Sequence, residues 1–307
     1  MIIRNDKRQA IDFNGIEILY QSQAYNYLYE QKGFNIYDLT VLIGKRRVFS
    51  FICGAKDRLV TSPFSAPFGG LNLLKDRVSL SSYLLAISEL IDYFREIQTN
   101  ELRITLPPPF YDEDHTTKQY LAFRQLGFDV QFSDVNHSLD LMKGSFDNGL
   151  KRRARRSLKL AASKNLSFTK CNKEQDKQSC YDIIRRNRTQ RGYPLKLSFE
   201  QIKEVAQIAT VDFFLLSDQE RAVAAAIVYQ VKRSIGQVIY WGNDLEAEDV
   251  GSMPFLASKL HDYYHGTFAI LDIGPSSEDG KLNQGLSDFK ESIGCETSVK
   301  HTLKYSF

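Results

Sequence analysis

Asp212-Phe213-Phe214-Leu215-Leu216, Ala222-Val223-Ala224-Ala225-Ala226-Ile227-Val228-Tyr229-Gln230 and Gln237-Val238-Ile239-Tyr240-Trp241 are three β-rich runs, and the order of elements around them settles the fold class. Branched and aromatic runs bounded by polar turn residues read as strands. A helix is expected over residues 253–265, behind Gly251-Ser252, with Ser252 placed to cap it. Ala269-Ile270-Leu271-Asp272-Ile273 reads as a strand, residues 282–293 as a helix and residues 298–304 as a final strand. Upstream lie a basic helix over 148–163, the strand Leu166-Ser167-Phe168-Thr169, and helices over 173–190 and 198–208. Gly192-Tyr193-Pro194 separates the last two, as glycine and proline interrupt helices.

The first half runs through a similar order. Gly15-Ile16-Glu17-Ile18-Leu19-Tyr20 reads as a strand. Leu39-Thr40-Val41-Leu42-Ile43 and Val48-Phe49-Ser50-Phe51-Ile52-Cys53 flank a Gly44-Lys45-Arg46-Arg47 turn and predict a hairpin. Two prolines and two glycines make Ser62 to Leu71 a loop. Tyr83, Leu84, Ile87, Leu90, Ile91 and Phe94 recur at helical spacing and predict a helix over 80–98. Leu102-Arg103-Ile104-Thr105-Leu106 is a strand stopped by Pro107-Pro108-Pro109, followed by a helix over 117–126 and a strand over 128–141. The expected fold class is therefore α/β with mixed sheets. Two similar domains, 1–143 and 144–307, are joined through Lys143-Gly144-Ser145-Phe146-Asp147-Asn148-Gly149.

Composition excludes the extremes. The 307 residues are 43% hydrophobic and 25% charged, with a net charge of +3, which describes a globular protein rather than a disordered or fibrous one. That length exceeds the size at which single cores stop growing. No apolar run is long enough for a membrane-spanning helix, and Met1-Ile2-Ile3-Arg4-Asn5-Asp6-Lys7-Arg8 lacks the order of a signal peptide, so a cytoplasmic location is expected. Cys53, Cys171, Cys180 and Cys295 are scattered and read as reduced structural thiols.

Several chemistries have no motif. There is no phosphate loop, no G-x-G-x-x-G after a strand and no G-x-S-x-G nucleophile turn. His261 and His265 stand four apart on a helix, but no third metal ligand is identifiable, and no metal is expected. Glu246, Glu248 and Asp249 read as solvated loop charges.

Charge is unevenly placed. Residues 1–143 carry 16 Lys and Arg against 17 Asp and Glu, whereas residues 144–307 carry 24 against 20. Lys151-Arg152-Arg153-Ala154-Arg155-Arg156-Ser157-Leu158-Lys159 holds six cations in nine residues, and Arg185, Arg186, Arg188 and Arg191 form a second group. Leu150, Ala154, Leu158 and Ala161 form an apolar stripe on the first of these helices, leaving Arg152, Arg153, Arg155, Arg156 and Lys159 on its other faces. Planar guanidinium groups can grip phosphate bidentately. Contact with phosphate or nucleic acid is one reading of this helix, and a solvated charged face is the other.

The ordered series resembles the FemAB-like branch of the GNAT acyltransferase superfamily, whose members are typically tandem GNAT-like domains. The series begins with the basic helix Leu150 to Ala161 and continues through Asn187-Arg188-Thr189-Gln190-Arg191-Gly192-Tyr193-Pro194. Tyr240-Trp241-Gly242-Asn243-Asp244 and Leu271-Asp272-Ile273-Gly274-Pro275-Ser276 come next, then Asn283-Gln284-Gly285-Leu286 and Phe289-Lys290-Glu291-Ser292-Ile293-Gly294. The resemblance implies transfer of an aminoacyl or acyl group to an amine of a cell-envelope precursor, a small molecule or peptide. Its donor would be aminoacyl-tRNA or acyl-CoA rather than a permanently bound cofactor. Lys290 is then the candidate for stabilising the oxyanion, with Phe289 beside it. Arg152, Arg155, Arg156, Lys159, Arg188 and Arg191 are candidates for donor phosphate, and Tyr240, Asn243 and Ser276 for lining the substrate. Asp272 and Asp288 are weaker candidates for a general base.

The GNAT pyrophosphate loop, [QR]-x-x-G-x-[GA], corresponds here to Glu248-Asp249-Val250-Gly251-Ser252-Met253. One glycine remains and two carboxylates would repel pyrophosphate, so tRNA is favoured over acetyl-CoA as donor. An acetyl-CoA-dependent N-acetyltransferase and a non-catalytic RNA- or polyanion-binding protein on the same fold are the alternatives.

Overall fold

Alternation along the strands sorts neighbouring side chains onto opposite sheet faces. Phe213 meets Phe199 at 6.1 Å between ring centroids, while Phe214 meets Tyr263 at 5.0 Å. One sheet thus needs a helix layer on each face. The computed structural model describes residues 1–4, 18–75, 77–219, 221–247 and 250–307. The chain forms two compact units: Met1–Val135 with Ser277–Lys281 and Ser298–Phe307, and Asn136–Ser276 with Leu282–Thr297.

The first unit contains β1 (Ile2–Arg4), α1 (Gln23–Tyr27), β2 (Asn35–Ile43), β3 (Arg46–Lys56), β4 (Leu59–Ser62), β5 (Leu71–Leu73), α2 (Leu80–Glu96), β6 (Glu101–Thr105) and α3 (Glu113–Gln125). The predicted hairpin is β2–β3, with Leu39 opposite Phe51. Buried Tyr83, Ala86, Ile87, Leu90, Ile91 and Phe94 turn α2 onto the sheet. Of the predicted strand Gly15 to Tyr20, residues 15–17 lie outside the described residues. Leu19–Gln21 is a 3-10 turn instead, leading to α1, whose cap Ser22 accepts from the Tyr25 N–H. The predicted loop Ser62 to Leu71 ends in β5, which pairs with β3.

β7 (Asp129–Asp140) is divided between the units at Val135 and Asn136. The second unit continues with α4 (Arg152–Ser163), β8 (Ser167–Lys170), α5 (Glu174–Gln190), α6 (Phe199–Ala206), β9 (Val211–Asp218), β10 (Arg221–Lys232), β11 (Ile235–Asn243), α7 (Ser252–Tyr264) and β12 (Ile270–Pro275). Two short strands, β13 (Ser277–Glu278) and β14 (Lys281–Leu282), precede α8 (Gln284–Ser292) and β15 (Glu296–Ser306). The expected meander is β9–β10–β11, all antiparallel. Phe214, Ala224, Ala226, Val228, Leu256 and Leu260 sit in one core with Ala154 and Ala161 of α4, so the predicted apolar stripe does dock.

Three local readings change. Residues 146–149 form a 3-10 turn, so the basic helix starts at Arg152 rather than 148. The cap of α7 is Gly251 at φ 75°, and Ser252 is the first helical residue. The last strand, which element order groups with 144–307, adds to the first unit's sheet: Thr302–Ser306 of β15 pairs antiparallel with Thr105–Glu101 of β6.

Candidate functional site

β11 and β12 are parallel and pair only through Ile235, Gly236 and Gln237 opposite Ile270, Leu271 and Asp272. Both strands continue past that point, β11 to Asn243 and β12 to Pro275. They part there. A register shift in the β10–β11 ladder, where Ile227 faces Tyr240 and Val228 faces Val238, falls beside the parting. Such bulges bend a strand and re-aim its side chains.

α8 brings Lys290 to the end of β12. Asn283 caps this helix by accepting from the Leu286 N–H, and its own N–H donates to the Ser276 carbonyl at 2.8 Å. Lys290 is 2% exposed, so it is not the helix-surface lysine that its sequence context allows. Its Nζ donates to the carbonyls of Gly274 at 2.9 Å and Pro275 at 2.8 Å. Gly274, at φ 78°, supplies the turn that directs these carbonyls to it. Burial pushes the Lys290 ammonium down to about 8; Cys295 and Asp272 oppose the shift and Arg188 adds to it. Phe289 is half-buried in the core and meets Trp241 at 5.9 Å.

Ser276, expected to line the substrate, is turned inward. It is 1% exposed, and its Oγ lies 3.1 Å from Nδ1 of His137, which is itself fully buried. The other ring nitrogen, Nε2, lies 3.4 Å from Ser287 Oγ on α8. Burial and the Lys290 charge push the imidazole down to about 4, so it is neutral at physiological pH. Sequence reading missed His137. The available signal was Asn136-His137-Ser138, three polar residues inside a run otherwise bounded by apolar positions. Asp272 is also committed internally: it is fully buried and accepts from Asn136 Nδ2, Gln237 Nε2 and the Gly274 N–H. A carboxylate so engaged is a structural acceptor rather than a base. Asp288 lies exposed on α8.

α5 reaches the same region. Asn187 Nδ2 donates to the Asn243 carbonyl at 2.7 Å and to its Oδ1 at 3.1 Å, so Asn243 holds α5 against the end of β11. Arg188, one residue on, donates from Nε to the Tyr193 carbonyl at 3.0 Å, and its charge is felt by both Lys290 and Tyr240. Tyr240 is half-buried. Burial raises its pKa, and the N–H groups of Leu197 and Lys196 and the Arg188 charge pull it back. Arg188, Tyr240, Asn243 and Lys290 are therefore gathered around the parted strands, while Arg191 lies exposed at the end of α5.

The cations of α4 are divided in role. Arg155 Nη2 donates to the carbonyls of Asp147 and Leu150, closing the turn before the helix. Arg152, Arg156 and Lys159 are exposed and make no ion pair among the described residues. The start of α4 is fastened to the end of α8: Lys151 N–H donates to the Ser292 carbonyl at 2.9 Å, and Lys151 Nζ pairs with Glu291 at 3.0 Å. Farther along, a Cβ on Gly251 would fall 2.3 Å from the Ser157 carbonyl, so α4 lies directly against the entry to α7. Glu248 and Asp249 of the aligned pyrophosphate stretch lie outside the described residues. A separate cavity lined by Asp218, Gln219, Arg221, Val223, Ala247 and Val250 includes none of the predicted site residues.

His261 is buried against Phe146, and His265 Nδ1 bonds to the Leu141 carbonyl. No group of three potential metal ligands occurs among the described residues. No described helix is long and apolar enough to cross a membrane.

No protein-family model and no curated protein matches the sequence. Solved structures do. FemX superposes with a TM-score of 0.68 at 13% identity, over 98% of each chain. L-PGS from Bacillus licheniformis gives 0.60 at 12% identity, over 94% of this chain and 93% of that one. A tandem GNAT protein from the clavulanic acid biosynthesis pathway gives 0.51 at 9% identity, over 89% of this chain and 83% of that one. These similarities extend over most of the chain: this chain has the fold of FemX and of a tandem GNAT protein.

Proposed function

We propose that this protein is an N-acyltransferase, in which the second unit receives an activated carboxyl donor and passes its aminoacyl or acyl group to an amine of a cell-envelope precursor. The observation that carries this reading is Lys290. A buried ammonium costs several kcal/mol unless it is held by partners, and this one is held by two carbonyls at the end of β12. Two of its three hydrogens are spent there, leaving one for an incoming oxygen.

The reaction needs little else. The amine attacks the donor carbonyl carbon, the carbonyl π electrons move to oxygen, and Lys290 donates its remaining hydrogen to that oxyanion. Stabilisation is strongest where water is excluded. Collapse of the intermediate expels the donor's oxygen or sulfur with its electron pair. One amine proton goes to that leaving atom, and a second, carried in if the amine arrives as an ammonium, goes to solvent.

Aminoacyl-tRNA is the donor we favour. Exposed Arg152, Arg156 and Lys159 suit a phosphate backbone, and α4 crowds the entry to α7, where a CoA pyrophosphate would sit in the GNAT arrangement. The test is to incubate the protein with charged tRNA and amine acceptors, and separately with acetyl-CoA. Transfer from tRNA that Arg152→Ala with Arg156→Ala weakens is expected. Turnover with acetyl-CoA alone would reassign the donor, and RNA binding with no transfer from either would make the protein a binder.

A further inference from the structure

We propose that His137 is a positioning residue, which sets the Lys290 ammonium at the parted strands by bridging the end of β12 to α8. This inference rests on the acyltransferase reading for its consequence in catalysis, though not for its geometry.

His137 pairs with Gly274 in the β7–β12 ladder, across a register shift between Asp272 and Gly274. Three consecutive residues at the end of β12 are then held by two side chains. Gly274 and Pro275 give their carbonyls to Lys290, and Ser276 gives its hydroxyl to His137. On α8, Ser287 and Lys290 are three residues apart and so share a face. The imidazole joins the hydroxyls of Ser276 and Ser287, beside Asn283, whose backbone bonds to the main chain of both.

The direction of the network is set at its end. Ser287 Oγ lies 3.5 Å from the Glu291 carboxylate, which can only accept. Ser287 therefore spends its hydrogen on Glu291 and accepts from His137 Nε2–H. That assigns the tautomer, and Nδ1 accepts from Ser276 Oγ–H. Every member is satisfied, the condition under which a buried polar network specifies one arrangement rather than several. Without the ring, Ser276 and Ser287 lose a partner in a buried site. The Ser276 side chain is then unheld, and only backbone bonds, the Asn283 N–H to the Ser276 carbonyl among them, keep the Gly274–Ser276 segment on Lys290, so it loosens and water can enter.

The groups that face Lys290 are His137 from β7, Asp272 from β12, Arg188 from α5 and Cys295 beyond α8. Burial is the largest influence on its titration, so admitting water moves that titration upward. Lysine side-chain NMR on the full chain reads it directly, with the Lys290 signal identified by its loss in Lys290→Met. His137→Phe keeps the ring shape without hydrogen bonds and should shift the Lys290 titration upward by a unit or more. It should also cut transfer about 100-fold, as misplaced catalytic groups do. His137→Gln, whose amide can both donate and accept, should restore much of both.

A folded His137→Phe with an unmoved Lys290 titration overturns the proposal. If that variant does not fold, Ser287→Ala cuts the same bridge from the other side and is judged by the same criterion. If the titration moves but the native protein transfers nothing, the positioning stands and the acyltransferase reading falls.

Discussion

Gly149 and Gly294 face each other so closely that a Cβ on the first would lie 2.9 Å from the Cα of the second. This contact sets the residues before α4 directly on those after α8, so the basic helix and the helix that carries Lys290 share a fixed origin. It also makes glycine obligatory for two different reasons. Gly149 is constrained by space alone, whereas Gly294 also adopts φ 88°.

Gly149→Ala should therefore destabilise the second unit by about 1–3 kcal/mol, the cost of overpacking. Gly294→Ala should cost more, because strain at positive φ adds to the clash. Thermal unfolding of the two variants measures the difference, and equal losses would show that the close approach alone matters.

Removing the ammonium should abolish most transfer with little loss of fold. Lys290→Met deletes the hydrogen offered to the oxyanion, an effect of about 2–4 kcal/mol on the transition state. Its stability terms oppose one another: a desolvated charge disappears, but the carbonyls of Gly274 and Pro275 lose their donor. Single-turnover rates alongside melting curves separate the two effects.

pH should act on activity and stability in opposite senses. If the ammonium is the working form, transfer falls as pH rises through about 8. Stability obeys linkage. Below about 8 both folded and unfolded Lys290 hold the proton, and the burial cost is fully present. Between there and the ordinary value of 10.5 the unfolded chain holds a proton the folded one has lost, so this group's contribution rises with pH. Denaturant unfolding from pH 7 to 10.5 should show a rise in the native protein that Lys290→Met lacks.

The arginines of α4 should affect affinity rather than fold. Arg152→Ala with Arg156→Ala should weaken RNA binding and reduce its salt slope by about 2, with melting unchanged because both side chains are exposed and unpaired among the described residues. Arg155→Ala should instead lower melting, since its guanidinium holds the carbonyls of Asp147 and Leu150.

Burial should make all four cysteines slow to alkylate in the native state. It pushes the thiols of Cys171 and Cys295 up to about 11 and 12 and those of Cys53 and Cys180 well above their ordinary value. Labelling with a maleimide before and after denaturation tests this. Rapid native labelling at Cys295 would mean that solvent reaches the interior beside Lys290.

Local pattern carried most of the elements. The 3.6-residue spacing of Tyr83 to Phe94 predicted α2, and the β-rich runs around Gly44 to Arg47 predicted the β2–β3 hairpin. Short elements escaped, because β5, β13 and β14 hold two or three residues each and have no period to read. The cap of α7 was misplaced by one residue because Gly251 at positive φ does the work expected of Ser252.

What the residues alone determine is the alternation of strands and helices, the order that resembles the tandem acyltransferases, and the concentration of cations in α4 and α5. These are properties of neighbours along the chain, where propensity and spacing act. Tertiary structure decided the rest: that β15 pairs with β6, that Ser276 turns inward to His137, and that Lys290 is buried against two carbonyls. Each joins residues far apart in sequence, and which backbone edge or buried donor a group finds depends on how the sheet closes around it, which no local pattern contains.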